Sequence, residues 1–359
     1  MRDLASPDPA MSFVPPPIPR PQAAVAQAAA EHQNQLTKPP GSLGVLESIA
    51  IWLAARQGQV RPRPLQAAIA VFAGDHGVTA QGVSAFPAAV TAEMVRNFAR
   101  GGAAINVLAR AHGARLAIVN VGVATELEPL AGVKSARVRA GTADFTQEPA
   151  MSRAEAIAAL EAGRAQAVAD IEAGANLLIA GEMGIGNTTA AAAVLAAFTG
   201  GQGADWVGAG TGVDSAGIER KRLAVDAGLA RARAQSPEDA IDWLAQVGGL
   251  EIAAMAGYYL EGAARGVPVL VDGFITTSAA LAATRIAPQA REWMLASHSS
   301  AERAHAQALE ALDLEPLVAL GLRLGEGSGA AVVLPLLSAA IALHNEMATF
   351  ASAGISGAE

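Results

Sequence analysis

The sequence predicts an α/β protein with a doubly wound, mainly parallel sheet and a smaller helical domain formed by both termini. The first observation is a set of short, continuous apolar runs that mostly end in glycine, which is typical of strands buried on both faces. These runs cover residues 67–74, 116–122, 177–181 and 267–273, with a weaker one at 293–296. The second observation is that alanine-rich helical segments lie between them, at 89–111, 153–173, 188–197 and 248–264. Strands that alternate with helices imply right-handed crossovers and parallel pairing.

Both ends of the chain are predicted to be helical and to contain no strand. Residues 1–21 are proline-rich and predict an extended or partly ordered arm. Helices are expected at 23–35 and 45–56, joined by a stiff turn, and a buried helix is expected in the apolar run 330–343. That run is shorter than the roughly 20 residues needed to cross a bilayer. We therefore predict a small helical domain of residues 22–60 and 330–359 beside a large α/β domain of residues 61–329.

The composition excludes several classes of protein. Hydrophobic residues make up 52% and charged residues 16% of 359 residues, so the chain is neither disordered nor a coiled coil. A formal net charge of −8 argues against nucleic acid as a partner. The absence of cysteine excludes disulfides, thiolate zinc sites and a cysteine nucleophile. Since the N-terminal segment has no apolar core of a signal peptide, we expect a soluble cytoplasmic protein that does not contact membranes.

The predicted strands end in polar, glycine-containing loops, at 74–77, 181–189 and 272–277. Ligands of open α/β sheets bind at the carboxyl ends of the strands. Several such loops at that edge predict an active site.

The loop 184–189 (GIGNTT) predicts an anion site. Gly184 and Gly186 would expose backbone N–H groups, and Thr188 or Thr189 can cap the following helix. Asn187 and Thr188 are predicted to bind the phosphate or ribose. The dinucleotide fingerprint lacks its third glycine here, and no Gly-Lys-Ser/Thr of a nucleoside-triphosphate loop follows. The alternative is an ordinary turn between a strand and a helix. We favour phosphate binding.

Glu326 lies between glycines in the segment 324–329 (LGEGSG), directly before an apolar run. A carboxylate in such a place is suited to act as a general base, because burial raises its pKa while nearby helix N–H groups lower it. The alternative is that Ser328 caps the helix and Glu326 complements its dipole.

Residues 269–278 look like the signature of type I phosphoribosyltransferases, in which two acids precede a threonine-rich phosphate loop. Here Gly273 replaces the second acid. This weakens the interpretation but leaves a ribose-phosphate ligand possible. His76 is either a ligand contact or a satisfied polar residue. His298 and His305 are spaced by nearly two helical turns, too far apart for an adjacent zinc pair, so we predict no metal.

Taken together, the motifs resemble the nicotinate-nucleotide–dimethylbenzimidazole phosphoribosyltransferases, which prepare the lower nucleotide of cobalamin. The motifs that carry this resemblance are residues 37–44, 74–78, 101–106, 182–189, 297–298 and 325–329. The resemblance implies a Rossmann-like large domain, a small helical domain from both termini, a homodimer and no cofactor. The substrates implied are nicotinate mononucleotide and 5,6-dimethylbenzimidazole.

The resemblance also implies roles for particular residues. Glu326 matches the general base, and Glu182 also matches a residue of the site. The positions directed toward the substrate phosphate are Gly184, Gly186, Lys221 and Ser300. Ser84 and Phe86 correspond to the wall of the base pocket. Many relatives have tyrosine at the position of Phe86, and a longer polar residue can replace Ala88, so the preferred aromatic base is left open.

Three other functions stay open at this point. A phosphoribosyltransferase that uses phosphoribosyl diphosphate would depend on magnesium. A non-catalytic nucleotide sensor would keep the loop 184–189 but would not need the base Glu326. A related enzyme could activate another acceptor, such as adenine or a phenol. For Lys221, one of three lysines, a solvated position is the alternative to phosphate binding.

Overall fold

A single parallel sheet forms the centre of the computed structural model, which describes residues 13–210 and 212–356. Within these residues seven strands pair in the order β3-β2-β1-β4-β5-β6-β7. They are β1 (Ala67–Gly74), β2 (Arg115–Gly122), β3 (Val133–Ser135), β4 (Leu177–Met183), β5 (Val269–Val271), β6 (Met294–Ser299) and β7 (Pro316–Ala319). The strand order reverses direction between β1 and β4. This is the topological switch point at which open α/β sheets bind ligands.

Helices cover both faces of the sheet. They are α1 (Ala23–Gln35), α2 (Val45–Gln57), α3 (Val90–Arg100), α4 (Ala104–Ala111), α5 (Arg153–Glu172), α6 (Asn187–Thr199), α7 (Gly203–Trp206), α8 (Ser215–Ala234), α9 (Ala240–Val247), α10 (Leu250–Ala264), α11 (Phe274–Ile286), α12 (His305–Glu310), α13 (Ser328–Glu346) and α14 (Phe350–Ala353). The predicted doubly wound, Rossmann-like fold is therefore confirmed.

Strand β1 shows why the sheet is buried on both sides. All eight of its residues are buried. Ala68, Ala70 and Phe72 point into the core on one face, whereas Ile69 and Val71 point into the core on the other. Because side chains alternate across a strand, a continuous apolar run supplies both cores.

Small residues let the helices approach closely. A Cβ at Gly163 of α5 would lie 1.7 Å from the carbonyl oxygen of Ala254 in α10, and one at Gly257 would lie 2.0 Å from that of Leu160. Any side chain at these two positions would separate the helices. The low aromatic content of 4% is therefore compensated by close backbone packing.

The structure corrects several predicted elements. The expected helix 89–111 is two helices, because Gly101 (φ 79°) ends α3 in the left-handed conformation. Helix α11 begins at Phe274, where a loop was expected. Strands β3 and β7 were missed, since both are short edge strands whose side chains are only partly buried or exposed. The other predicted strands and helices are confirmed, with bounds that differ by a few residues.

Helices from the two ends of the chain lie together. Helix α13 packs on α2 and α4, and α1 packs on α2. Gln33 Nε2 lies 2.8 Å from His344 Nδ1, which joins α1 to α13. These contacts support the small helical domain of residues 22–60 and 330–359, which remains a proposal. Residues 1–12 of the predicted arm lie outside the described residues, whereas Phe13 and Ile18 pack against the core.

Helix α13 is longer than predicted. It continues through Pro335 to 19 residues and is long and apolar enough, by length and composition alone, to cross a bilayer. The prediction that the run was too short was therefore wrong. About half of the helix (56%) is buried in the fold. The helix packs on α2, α4 and β6, as a core helix does.

Candidate active site

A cleft of about 410 Å³ lies at the carboxyl ends of β4, β5 and β6. Residues from separate strand-end loops meet there, as the fold predicts. Of the predicted site residues, those that line the cleft are Phe86, Glu182, Gly184, Asn187, Thr188, Ser300 and Glu326. Gly186, Lys221 and Ser84 lie outside its wall. The roles of all these residues remain predictions.

The backbone around Glu326 has an unusual conformation. Gly325, Glu326 and Gly327 have φ values of 91°, 64° and 83°, so three successive residues are left-handed. Glycine tolerates this conformation, whereas a glutamate in it is strained. The loop also lies directly on β4, because a Cβ at Gly181 would be 2.2 Å from the carbonyl oxygen of Glu326. The glycines therefore let the loop turn tightly against β4 and hold the Glu326 carboxylate there.

The Glu326 carboxylate is held by the start of another helix. Its Oε2 accepts a hydrogen bond from the backbone N–H of Ile105 in α4 at 3.1 Å. Burial raises the pKa of Glu326, and the bond from Ile105 partly offsets this. The alternative in which Ser328 caps α13 is wrong: the residue before the helix is Gly327, and the Ser328 hydroxyl donates to the Gly325 carbonyl at 2.6 Å.

Glu182 lies beside this loop. Its Oε2 accepts a hydrogen bond from Asn187 Nδ2, and a Cβ at Gly325 would lie 2.1 Å from its Oε1. Burial raises the pKa of Glu182 to about 8, with additional repulsion from acids that include Asp272 and Glu326. A carboxyl group with this pKa is largely protonated at neutral pH. It can therefore donate as well as accept a hydrogen bond in the cleft.

Asp272, at the end of β5, is tied to α13. Its Oδ1 accepts from the backbone N–H of Ala330 at 2.7 Å. Burial raises its pKa to about 7, although bonds from the start of α13 lower it. The threonines of the type I motif, Thr276 and Thr277, donate to the carbonyl of Gly273 at 2.9 and 2.8 Å. Their hydroxyls are thus used within the helix, which argues against a phosphate loop there.

His298 presents an acceptor to the cleft. The Ser297 hydroxyl donates to the Val271 carbonyl at 2.7 Å, so His298 Nδ1–H donates to Ser297 Oγ at 2.9 Å and Nε2 is left as the acceptor. Burial lowers the pKa of His298, which keeps the ring neutral. A Cβ at Gly329 would lie 2.1 Å from its Cε1, so only glycine leaves room for the ring.

His298 and His305 do not share a helix, contrary to the spacing argument. His298 is in β6 and His305 begins α12, and their ring centroids are 6.0 Å apart. His305 Nδ1 accepts from the N–H of Ser300 at 2.8 Å, and burial lowers the pKa of His305 to about 4. Across the described ranges, no group of three or more potential ligand side chains is arranged to hold a metal ion.

The loop 184–188 contributes to the wall of the cleft. Gly186, with φ 93°, is the residue before α6, so the prediction that Thr188 or Thr189 caps this helix was wrong. The N–H groups of Gly186 and Thr188 have no hydrogen-bond partner within the described residues. Lys221 lies behind the loop and donates from Nζ to Thr188 Oγ1 at 2.9 Å and to the Gly208 carbonyl at 3.1 Å. Burial lowers its pKa to about 8, while the charge of Glu302 raises it. Lys221 is only 2% exposed, so the alternative of a solvated lysine is wrong.

The other part of the cleft is apolar. Its wall includes Phe86, Val90, Met94, Ile185 and Leu324. Phe86 is 52% exposed and lies at the mouth. Ser84 does not reach the cleft surface; its hydroxyl oxygen accepts from the N–H of Phe86 at 3.2 Å and so shapes that turn.

Sequence reasoning gave no role in the cleft to His298 and Glu302, which line it. It also did not predict the hydrogen bond from Ile105 N–H to Glu326 or the pairing of His76 with Glu251. The glycine Gly329 was the available signal for His298. Nothing local indicated Ile105, which meets Glu326 from 221 positions away.

Comparisons with known proteins show the family to which the chain belongs. A family model described as a phosphoribosyltransferase matches residues 18–355. The nicotinate-nucleotide–dimethylbenzimidazole phosphoribosyltransferase of Chromobacterium violaceum is 59% identical over 330 residues, 92% of this chain and 95% of that protein. The enzyme of the same name from Pseudomonas aeruginosa is 54% identical over 91% of this chain and 93% of its own length. The crystal structure of the Thermus thermophilus enzyme superposes with a TM-score of 0.89 at 47% identity, covering 94% of this chain and all of that one.

A doubly wound sheet with a buried carboxylate and a glycine-rich loop at its strand-end cleft, together with the family match, defines a phosphoribosyltransferase. The sequence identity to named enzymes, over nearly the whole length of the chain, identifies one family within this class. The chain belongs to the nicotinate-nucleotide–dimethylbenzimidazole phosphoribosyltransferase family, as the resemblance in its motifs implied.

Proposed function

We propose that this protein transfers the 5-phosphoribosyl group from nicotinate mononucleotide to 5,6-dimethylbenzimidazole. The products are α-ribazole 5′-phosphate, for the nucleotide loop of cobalamin, and nicotinate. The observation that carries the proposal is that one cleft contains both a buried glutamate, Glu326, and the Thr188 hydroxyl that Lys221 contacts. The apolar wall beside Glu326 suits a flat aromatic base.

The chemistry needs one base and one anion site. A ring nitrogen of the benzimidazole attacks the anomeric carbon on the face opposite the nicotinate, so the configuration inverts from β to α. The glycosidic bond breaks, and its electron pair neutralises the pyridinium nitrogen of the leaving nicotinate. The acceptor becomes cationic, its other N–H is acidified, and Glu326 removes that proton. Because a pyridinium is already a good leaving group, this reaction does not require the second acid that Gly273 replaces.

Glu182 is proposed to assist in the same cleft. With a pKa of about 8 it is largely protonated at neutral pH, so it adds little negative charge beside Glu326. Asn187 fixes its orientation. If Glu326 is not the base, Glu182 is the alternative.

The substrate phosphate is proposed to lie at the start of α6. The N–H groups of Gly186 and Thr188, the hydroxyl of Thr188 and the backbone near Ser300 would contact it, and Lys221 would supply charge from behind the loop. The neutral acceptor nitrogen of His298 lies between the two ends of the cleft and is suited to a ribose hydroxyl.

Incubation with nicotinate mononucleotide and a panel of aromatic bases tests the function. Release of nicotinate that depends on dimethylbenzimidazole, with the α-ribazole phosphate identified by NMR, is the expected result. Activity only with phosphoribosyl diphosphate and magnesium would establish the rival transferase instead. Binding of the nucleotide with no turnover on any base would indicate a sensor, and turnover restricted to adenine or a phenol would change the acceptor.

We further propose a cytoplasmic homodimer that binds neither nucleic acid nor membranes. The support is the resemblance and the acidic composition, together with exposed apolar side chains that include Val107, Leu320 and Leu336. Sedimentation of the active protein at working concentration is expected to give the mass of two chains. An active monomer would contradict this.

A further inference from the structure

His76 and Glu251 form a buried ion pair behind the cleft. His76 Nε2 lies 2.7 Å from Glu251 Oε1, and neither side chain has any exposed surface. Burial by itself would lower the pKa of His76, but the charge and hydrogen bond of Glu251 and the charge of Asp75 raise it overall. A buried pair recovers the cost of its desolvation only with good geometry. Because such a pair adds little to stability and this one lies at the switch point of the sheet, we looked for a function that it serves there.

The imidazole of His76 lies against the loop that we assign to the phosphate. A Cβ at Gly184 would lie 3.3 Å from His76 Nε2, and one at Gly186 would lie 3.5 Å from His76 Cβ. On the opposite side, a Cβ at Gly249, the residue before α10, would lie 2.5 Å from His76 Cε1. The ring thus fills the space between the start of α10 and the loop, and glycines on both sides let it do so.

Charged groups surround the pair on several elements. Asp75 precedes His76 and accepts from the N–H of Ala124 at 2.8 Å. Glu251 is one of the charges that raise the pKa of Glu182. His76 contacts Glu251 directly, and the charge of Asp75 also acts on its ring.

We propose that His76 and Glu251 are positioning residues for the phosphate loop. The ring supports Gly184 and Gly186 from behind, so that their N–H groups and the first turn of α6 face the phosphate. Glu251 fixes the direction of the ring by accepting from Nε2–H. This inference rests on the proposed assignment of the nucleotide phosphate to the loop 184–188.

The test measures nicotinate mononucleotide binding by calorimetry without acceptor, and KM for both substrates. Removing the support in His76→Ala should weaken nucleotide binding roughly 10- to 100-fold, since small misplacements of binding groups have large effects. KM for dimethylbenzimidazole should stay within about threefold, because the apolar wall is unchanged. Glu251→Ala should have the same selective effect, and Glu251→Gln, which keeps an acceptor for Nε2–H, should recover most of the affinity.

His344→Ala is the matched control. His344 is also fully buried, and its Nε2 lies 2.8 Å from the Val60 carbonyl. It lies 16 residues beyond the start of α13, roughly 24 Å along the helix axis from the cleft. This variant should lower the melting temperature and leave nucleotide binding unchanged.

Two outcomes separate the possible failures. If His76→Ala and Glu251→Ala lower the melting temperature as His344→Ala does but leave nucleotide affinity unchanged, the pair is only structural and the inference is overturned. If the parent protein binds no nucleotide, or Lys221→Ala leaves binding unchanged, the phosphate assignment itself fails. Should His76→Ala not fold, His76→Asn is measured against the same two outcomes.

Discussion

Two glycine-rich loops of the cleft have the same backbone design and opposite electrostatics. One leads into α6 through Gly186 (φ 93°), and the other leads into α13 through Gly327 (φ 83°). In each, a left-handed glycine lets a strand-end loop turn sharply into a helix whose N-terminus faces the cleft. Backbone geometry alone would make both of them anion sites.

The side chains around the two helix N-termini determine which of them can bind an anion. At α13, the carboxylate of Asp272 already accepts from the N–H of Ala330. At α6, the N–H groups of Asn187 and Thr189 donate to the carbonyls of Gly184 and Gly186. Those of Gly186 and Thr188 have no partner within the described residues, and Lys221 lies behind Thr188. A helix N-terminus attracts an anion only while its N–H groups are free. One loop is therefore suited to phosphate and the other to carrying the base Glu326.

Of the substitutions considered, replacement of the proposed base Glu326 should have the largest effect on turnover. Glu326→Gln keeps the shape and a hydrogen-bonding group but cannot accept the proton, so turnover should fall roughly 10²- to 10⁴-fold. The proton appears only in the transition state, so dimethylbenzimidazole binding should change much less. Steady-state kinetics and calorimetry measure the two quantities. Turnover within a few-fold of the parent would exclude Glu326 as the base and make Glu182→Gln the next test.

Removing the charge of Lys221, behind the loop that leads into α6, should have a smaller effect, and it should change KM for the nucleotide. Lys221→Ala should raise KM for nicotinate mononucleotide about 10- to 100-fold, because the positive charge behind the loop is lost, with little change in KM for the base. Lys134→Ala is the control, since Lys134 donates to Gln166 at 3.4 Å, away from the cleft. Equal changes for both substrates would show that Lys221 acts on the fold rather than on phosphate.

The pH dependence of kcat/KM should report the titration of one group in each loop region, Glu326 and Lys221. Glu326 acts when deprotonated and its pKa is raised, so kcat/KM should decline as the pH falls through a value above the ordinary glutamate range. Lys221 acts when protonated and its pKa is lowered to about 8, so kcat/KM for the nucleotide should decline as the pH rises through about 8. Lys221→Arg should shift only this alkaline decline upward, since guanidinium stays charged. An alkaline decline that does not move in this variant would refute the assignment.

Disturbing the close contact between Gly181 and the Glu326 carbonyl should have the smallest effect of the substitutions considered. In Gly181→Ala the new Cβ would meet the Glu326 carbonyl, so unfolding free energy should fall by about 1–3 kcal/mol and turnover should fall as well. Gly200→Ala is the control: its φ is 82° with no neighbour within 4 Å, so it should cost about 1–2 kcal/mol without changing turnover. Denaturant unfolding and kinetics of both variants check this. Equal turnover in the two would contradict it.

The elements that were predicted correctly are those whose signal is local. Buried strands such as β1 and β4 need continuous apolar runs, and the loop 184–189 shows its glycines in one short segment. The edge strands β3 and β7 have no such run, because only one side of each is paired. Helix α11 was missed since its first turn has the composition of a loop, and it is the packing on α10 and α6 that buries it.

The sequence by itself determined the parallel α/β architecture, the strand-end loops and the glycine-framed Glu326, because strand burial and left-handed turns restrict which residues can occupy them. Tertiary structure alone decided which groups meet these residues. Ile105 N–H on Glu326, Asp272 at the start of α13 and His76 against Gly184 come from separate parts of the chain. The pKa values follow from that assembly, since burial and the neighbouring charges exist only after the strands have brought the loops together.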